Sequence, residues 1–238
     1  MLLAGVAWAY LVRESHMMSG MSMGDMEMQM WTTTDLALRV AMWAAMMIGM
    51  MIPSAAPMTL VYAAVARKSQ EQSSPLPPTS VFVAGYVLIW TLFSVGAAVA
   101  QRSLDQAGLL SSTMASTNSR LGGALLLAAG IYQLTPLKQS CLRNCRSPAD
   151  FLTHHWRGGG TAGALRLGVY HGVYCLGCCW VLMGLLFVVG VMNLVWVAVI
   201  AGFILVEKTL PFGRAGGRLA GAALIALGMA ALTGTFTI

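Results

Sequence analysis

His171-Gly172-Val173-Tyr174-Cys175-Leu176-Gly177-Cys178-Cys179-Trp180 lies inside a long apolar run, from about Ala162 to Val191, interrupted by Arg166 and His171. About 20 apolar residues are enough for a helix to cross a bilayer. At 100° per residue, with His171 at 0°, Cys175 falls at about 40°, Cys178 at about −20° and Cys179 at about 80°. One arc of a membrane helix therefore carries all four soft ligands of the segment. Gly168 and Gly172 lie on or beside that arc, where a neighbouring backbone can come close.

The rest of the chain repeats the membrane signal. Of 238 residues, 58% are hydrophobic and 9% charged, against about 25% charged in a soluble domain. The expected fold is all-α: a polytopic transmembrane bundle of about seven spans, or about six if the first apolar stretch is not a span. Residues 1–34 read as a short anchor span followed by a methionine-rich external loop, and 35–238 as the helical bundle. Met1–Val12 is short for a span and lacks the basic region and cleavage site of a signal peptide. Further spans are expected over about 35–64, 80–100, 121–137, 162–191, 193–207 and 217–236. Pro53 and Pro57 should break the first of these.

Ten Lys and Arg fall in the loops on one side of this arrangement and four on the other, so the amino terminus is expected inside and the methionine-rich loop outside. The expected location is the inner (plasma) membrane of a prokaryote, with the lipid bilayer as the first partner. The basic residues form no long run, so the net charge of +6 gives no sign of nucleic-acid binding. Lys138 to Gly160 is expected to be a basic loop, and Glu207 with Lys208 a pair snorkelling to the interface.

Sulfur is the second anomaly. Thirteen of the 18 methionines lie between Met1 and Met51. Thioethers and thiolates select Cu(I) among the common biological metals. Calcium and magnesium prefer oxygen, and zinc gains nothing from methionine, so zinc is the less favoured ion. Three groups of ligands are expected. The outer loop offers His16, Met17, Met18, Met21, Met23, Met26, Met28 and Met30. Met42, Met46 and Met50 form an i, i+4, i+8 stripe. His171, Cys175, Cys178 and Cys179 form the membrane face, with Cys141 and Cys145 on the inner side. His154 and His155 are expected to be interfacial.

Three stretches carry a family resemblance. They are Met42-Trp43-x-x-Met46-Met47-x-x-Met50-Met51-x-Pro53-Ser54-x-x-Pro57, then Tyr132-Gln133-Leu134-Thr135-Pro136-Leu137-Lys138-x-x-Cys141-Leu142-x-x-Cys145-Arg146-x-Pro148, and Gly168-x-x-x-Gly172-x-Tyr174-Cys175-x-Gly177-Cys178-Cys179-Trp180-x-Leu182-Met183, ending near Met192-Asn193 and Glu207-Lys208. From about Asp35 onward the chain resembles a prokaryotic family of predicted metal-binding integral membrane proteins, a domain of unknown function with organometallic-transporter-like character. The resemblance implies a membrane location and the handling of a metal.

The leading expectation is a non-enzymatic, copper (Cu(I))-binding membrane protein that transports or delivers the metal through Met and Cys/His ligands. Other membrane subunits or a copper chaperone are its expected protein partners. Two alternatives use the same residues. One is an accessory or assembly subunit of a copper-dependent membrane enzyme, favoured if a partner grips the small-residue face of the last span. The other is a membrane thiol–disulfide oxidoreductase. No nucleotide-binding loop is present to drive a pump.

Overall fold

A computed structural model describes residues 2–19, 33–71, 77–110, 118–156 and 160–235, and every element in them is helical. In chain order these are α1 (Leu2–Ser19), α2 (Thr33–Ser54), α3 (Ala56–Glu71), α4 (Thr79–Gln106), α5 (Ser119–Leu134), α6 (Pro136–Arg146), α7 (Pro148–His155), α8 (Gly160–Gly184), α9 (Leu186–Val189), α10 (Leu194–Thr209) and α11 (Gly213–Leu232). Four stretches are long and apolar enough to cross a membrane: Thr34–Ser54, Thr79–Gln106, Gly160–Val189 and Gly213–Leu232. They match the second, third, fifth and last of the expected spans. α5 and α10, at 16 residues each, are shorter.

Local chemistry sets the breaks. Pro53 stays inside the last turn of α2, and the helix interrupts at Ala55 before Pro57 enters α3. A proline suits a first turn because its missing N–H has no partner there. The expected basic loop after α5 is instead two helices. Thr135 caps α6 by accepting from Lys138 N at 3.3 Å, with Pro136 in the first turn. Pro148 takes the same first-turn position in α7, where Ser147 gives no side-chain cap. Composition had marked this stretch as a loop because it is polar. It is helical because its apolar residues Leu142 and Cys145 lie on one buried side. Asn118 and Asn193 cap α5 and α10 through their side chains, as N-cap asparagines do. Gly190, at φ 93°, makes the turn into α10.

The helices pack on glycine. A Cβ at Gly168 would collide with the carbonyl oxygen of Phe82, and one at Gly85 with that of Leu165. α4 and α8 therefore touch backbone to backbone and run parallel, since Phe82 meets Gly168 and Ile89 meets Gly172. α5 and α11 form a second close pair, with Gly123 against Gly228 and Gly130 against Gly221, so these two run antiparallel. α2 runs against α4: Trp43 Nε1 donates to Gln101 Oε1 at 2.7 Å, and Tyr86 Oη donates to the Met51 carbonyl at 3.0 Å. The glycine-bearing face of α11, considered above as a grip for a partner subunit, is covered by α5 of the same chain.

Overpacking a fitted site costs about 1–3 kcal/mol even where side chains can yield. A backbone carbonyl cannot turn aside as a side chain can. Gly168→Val is therefore expected to lower the thermal midpoint of the detergent-solubilised protein by several degrees or abolish folding. An unchanged midpoint would show that α4 and α8 do not meet as described.

Candidate metal centre

All four residues of the α8 arc, His171, Cys175, Cys178 and Cys179, are buried. Cys175 is the hub. Its backbone carbonyl accepts from the Cys178 thiol and the Cys179 thiol, both at 3.0 Å. Its Sγ lies 3.0 Å from Tyr86 Oη of α4 and accepts from Lys208 Nζ of α10 at 2.9 Å. The Lys208 ammonium also donates to Ser54 Oγ, at the end of α2, at 3.2 Å. Met51 lies one turn above Ser54, and its Sδ is 4.0 Å from Cys179 Sγ.

The fourth thiol comes from outside the arc. α6 folds back along α8 and brings buried Cys145 within hydrogen-bonding reach of Cys175 and Cys178. Cys141, one turn earlier, is only partly buried. Its Sγ lies over Gly177, where a Cβ would come to 2.8 Å. Burial, and then the nearby Cys178, push the Cys141 thiol above its usual range.

One buried ion pair and a set of arginine–carbonyl hydrogen bonds hold this packing. Lys138 of α6 is 0% exposed and contacts both carboxylate oxygens of Glu207, at 2.6 and 2.7 Å, and Gln133 Oε1 at 2.5 Å. Arg146, at the other end of α6, donates to the carbonyls of Glu207, Leu210 and Pro211. α6 is thus fastened at both ends to the C-terminal end of α10, which also carries Lys208. The snorkelling-pair expectation is corrected here. Glu207 pairs with Lys138, Lys208 points into the sulfur cluster, and both are buried.

The structure sorts the other expected ligands. Met42, Met46 and Met50 are buried as a stripe, but the methionine in contact with a cysteine is Met51, about 100° further round the helix than Met50. His171 sits one turn before Cys175, ringed by Phe82, Tyr86 and Phe151. Its Nδ1 is buried with no hydrogen-bond partner, an arrangement rare enough in native interiors to point to a missing partner. His155 is partly buried, stacks on Phe151 and has Nε2 3.4 Å from Tyr174 Oη. His154 is exposed. His16, Met17 and Met18 fall in α1, but their side chains lie outside the described residues. Met21, Met23, Met26, Met28 and Met30 lie outside them altogether.

Among the described residues, no three His, Cys, Asp or Glu side chains stand ready as a metal cage. The hydrogen bonds explain why. The Cys178 and Cys179 thiols are turned to a carbonyl, and the Lys208 ammonium sits against the Cys175 sulfur. A metal has to displace these contacts. The donor set it would then meet, four thiols and a thioether, is soft and suits Cu(I) far better than an oxygen-seeking ion. The cluster lies level with the C-terminal ends of α2 and α10, where α6 covers it. That is nearer one end of the bundle than the mid-membrane depth expected from α8 alone.

A family model described as "PpoB2: Copper chaperone" matches residues 40–231. The chain belongs to this copper chaperone family. No curated protein matches the chain, and no solved structure does. The matched span contains the whole sulfur cluster.

Removing one partner of a buried ion pair costs about 3–5 kcal/mol, while replacing both with apolar groups is close to neutral. Lys138→Met is expected to destabilise the protein by about that amount, and Lys138→Met/Glu207→Met to recover most of it. Thermal unfolding in detergent reads this directly. Equal midpoints for the wild type and Lys138→Met would rule out a buried pair.

Proposed function

We propose that the protein carries Cu(I) as cargo in the pocket formed by Cys145, Cys175, Cys178, Cys179 and Met51, and passes it to an acceptor as a membrane-embedded copper chaperone. The approach of buried Cys145 of α6 to Cys175 and Cys178 of α8, beside buried Cys179, carries this reading. His171, with its unpartnered nitrogen one turn away, is a candidate additional ligand. Cys141, partly exposed on the same helix as Cys145, is placed to take the ion as it leaves. His16 and the methionines preceding α2 would collect the ion on the opposite side.

The helix directions fit seven crossings, and the placement of Lys and Arg favours the amino terminus inside. α4 and α8 run parallel, so the chain must return between them. α5 provides that return over about 24 Å, at 1.5 Å per residue. α1, α2, α4, α5, α8, α10 and α11 are the crossings in this reading. α6 and α7 cap the inner end, where most basic residues lie.

Thiol ligands lose protons as they take up metal, and neighbouring groups then lose their hydrogen bonds to them. A chaperone site needs such replaceable contacts. The Lys208, Tyr86 and carbonyl contacts hold the thiols in place, and each is a contact that a metal–sulfur bond could replace.

The test is metal analysis of the purified, reduced protein beside a Cys175→Ser/Cys178→Ser/Cys179→Ser variant. The expected result is copper in the wild type and its loss in the variant, with no comparable zinc in either. Equal copper in both would remove the α8 site, and zinc without copper would remove the copper assignment.

A further inference from the structure

Two contacts set the register between α2 and the stretch from α8 into α9, which together run from Gly160 to Val189. Met51 Sδ meets Cys179 Sγ at 4.0 Å. The Trp43 ring meets that of Phe187, with centroids 5.4 Å apart. Each pair of contact points is eight residues apart along its own chain segment, and the two segments run antiparallel. Interpolating between these two contacts puts Met47 level with Met183. Both are 0% exposed, and both belong to the core cluster that contains Cys175, Cys178, Cys179 and Met51.

We propose that Met47 and Met183 form a second subsite for a soft monovalent cation, one helical turn beyond the cysteine cluster. The proposal rests on the reading of that cluster as a Cu(I) site and extends it. On α8 the sulfurs Cys175, Cys179 and Met183 follow one another at i, i+4 and i+8. On α2, Met51 and Met47 follow at the same interval in the opposite direction. One turn is about 5.4 Å, so the two helices together set out rungs of sulfur at that spacing. The lower rung has thiol and thioether, and the upper has thioether alone. Thioethers carry no charge and bind Cu(I) in preference to oxygen-seeking ions. The upper rung is therefore the weaker site. It lies toward the amino-terminal end of α2, the end joined to the methionine-rich segment.

This placement differs from the stripe the sequence had favoured. Met42, Met46 and Met50 lie about 100° away around α2, and none has a counterpart on α8 through this register. The α2 methionines level with α8 sulfur are Met47 and Met51.

The experiment is anaerobic Cu(I) titration of the detergent-purified full chain against a chromophoric Cu(I) chelator. The thiolate-to-copper charge-transfer absorption is followed alongside. Leucine replaces methionine with little change of volume, and unchanged elution and thermal midpoint confirm that each variant is folded. Wild type is expected to take up Cu(I) in two phases. Met47→Leu/Met183→Leu is expected to lose the weaker phase while the charge-transfer band keeps its full amplitude. Met42→Leu/Met46→Leu/Met50→Leu is expected to keep both. Cys175→Ser/Cys178→Ser/Cys179→Ser is expected to lose the band and keep the weaker phase. Both phases surviving in Met47→Leu/Met183→Leu would overturn the proposal, as would loss of the weaker phase in the Met42/Met46/Met50 variant alone. A wild type without the band would instead defeat the thiol site, and the weaker phase would still report on the thioethers.

Discussion

Two buried lysines constrain this bundle more than any other feature. An ammonium group leaves water only when its charge is met nearby. Lys138 meets a carboxylate and an amide, from Glu207 and Gln133. Lys208 meets a sulfur and a hydroxyl, from Cys175 and Ser54. Satisfying both requires α6, α10, α8 and the end of α2 to converge at one level. That convergence gathers the thiols of α8 and Cys145 of α6. The glycine contacts between α4 and α8 make room for it, because they let Tyr86 reach both Cys175 and the Met51 carbonyl. The charged residues are thus part of the architecture of the sulfur site.

The α8 arc was fully legible in the sequence, since helical periodicity alone puts His171, Cys175, Cys178 and Cys179 on one face, and all four are buried. The break near Pro53 and Pro57 was legible for the same local reason. What the sequence hid depends on partners distant in the chain. Cys145 looked like a loop residue because α6 is polar, and only its return along α8 brings it to Cys175. Lys208 looked like an interfacial anchor because Glu207 is its neighbour in sequence. The true partner of Glu207 is 69 residues away. Met51 was passed over for Met42, Met46 and Met50. A repeating stripe shows that a face exists, while the register with another helix decides which face meets the cysteines. The Trp43, Met47, Met51 spacing was present in the same motif and has the same i, i+4 period.

Membership of a copper chaperone family gives these features a common purpose. A chaperone has to hold an ion against loss to water and still surrender it. In the function proposed above, soft sulfur supplies the hold. Surrender is favoured when each ligand has an alternative partner ready, as the Cys178 and Cys179 thiols have in the Cys175 carbonyl, and Cys175 has in Lys208. The ligand type also grades along the bundle, from thioether near the start of α2 to thiol beneath α6. In the function proposed above, an ion passing that way would meet progressively stronger donors.

Whether thiols from two separate helices hold one copper ion is read by X-ray absorption at the copper K-edge of the Cu(I)-loaded protein. A first shell of sulfur, diminished in Cys145→Ser, is the result expected if α6 and α8 share the ion. A first shell of nitrogen and oxygen, or a sulfur shell that Cys145→Ser leaves unchanged, would contradict it.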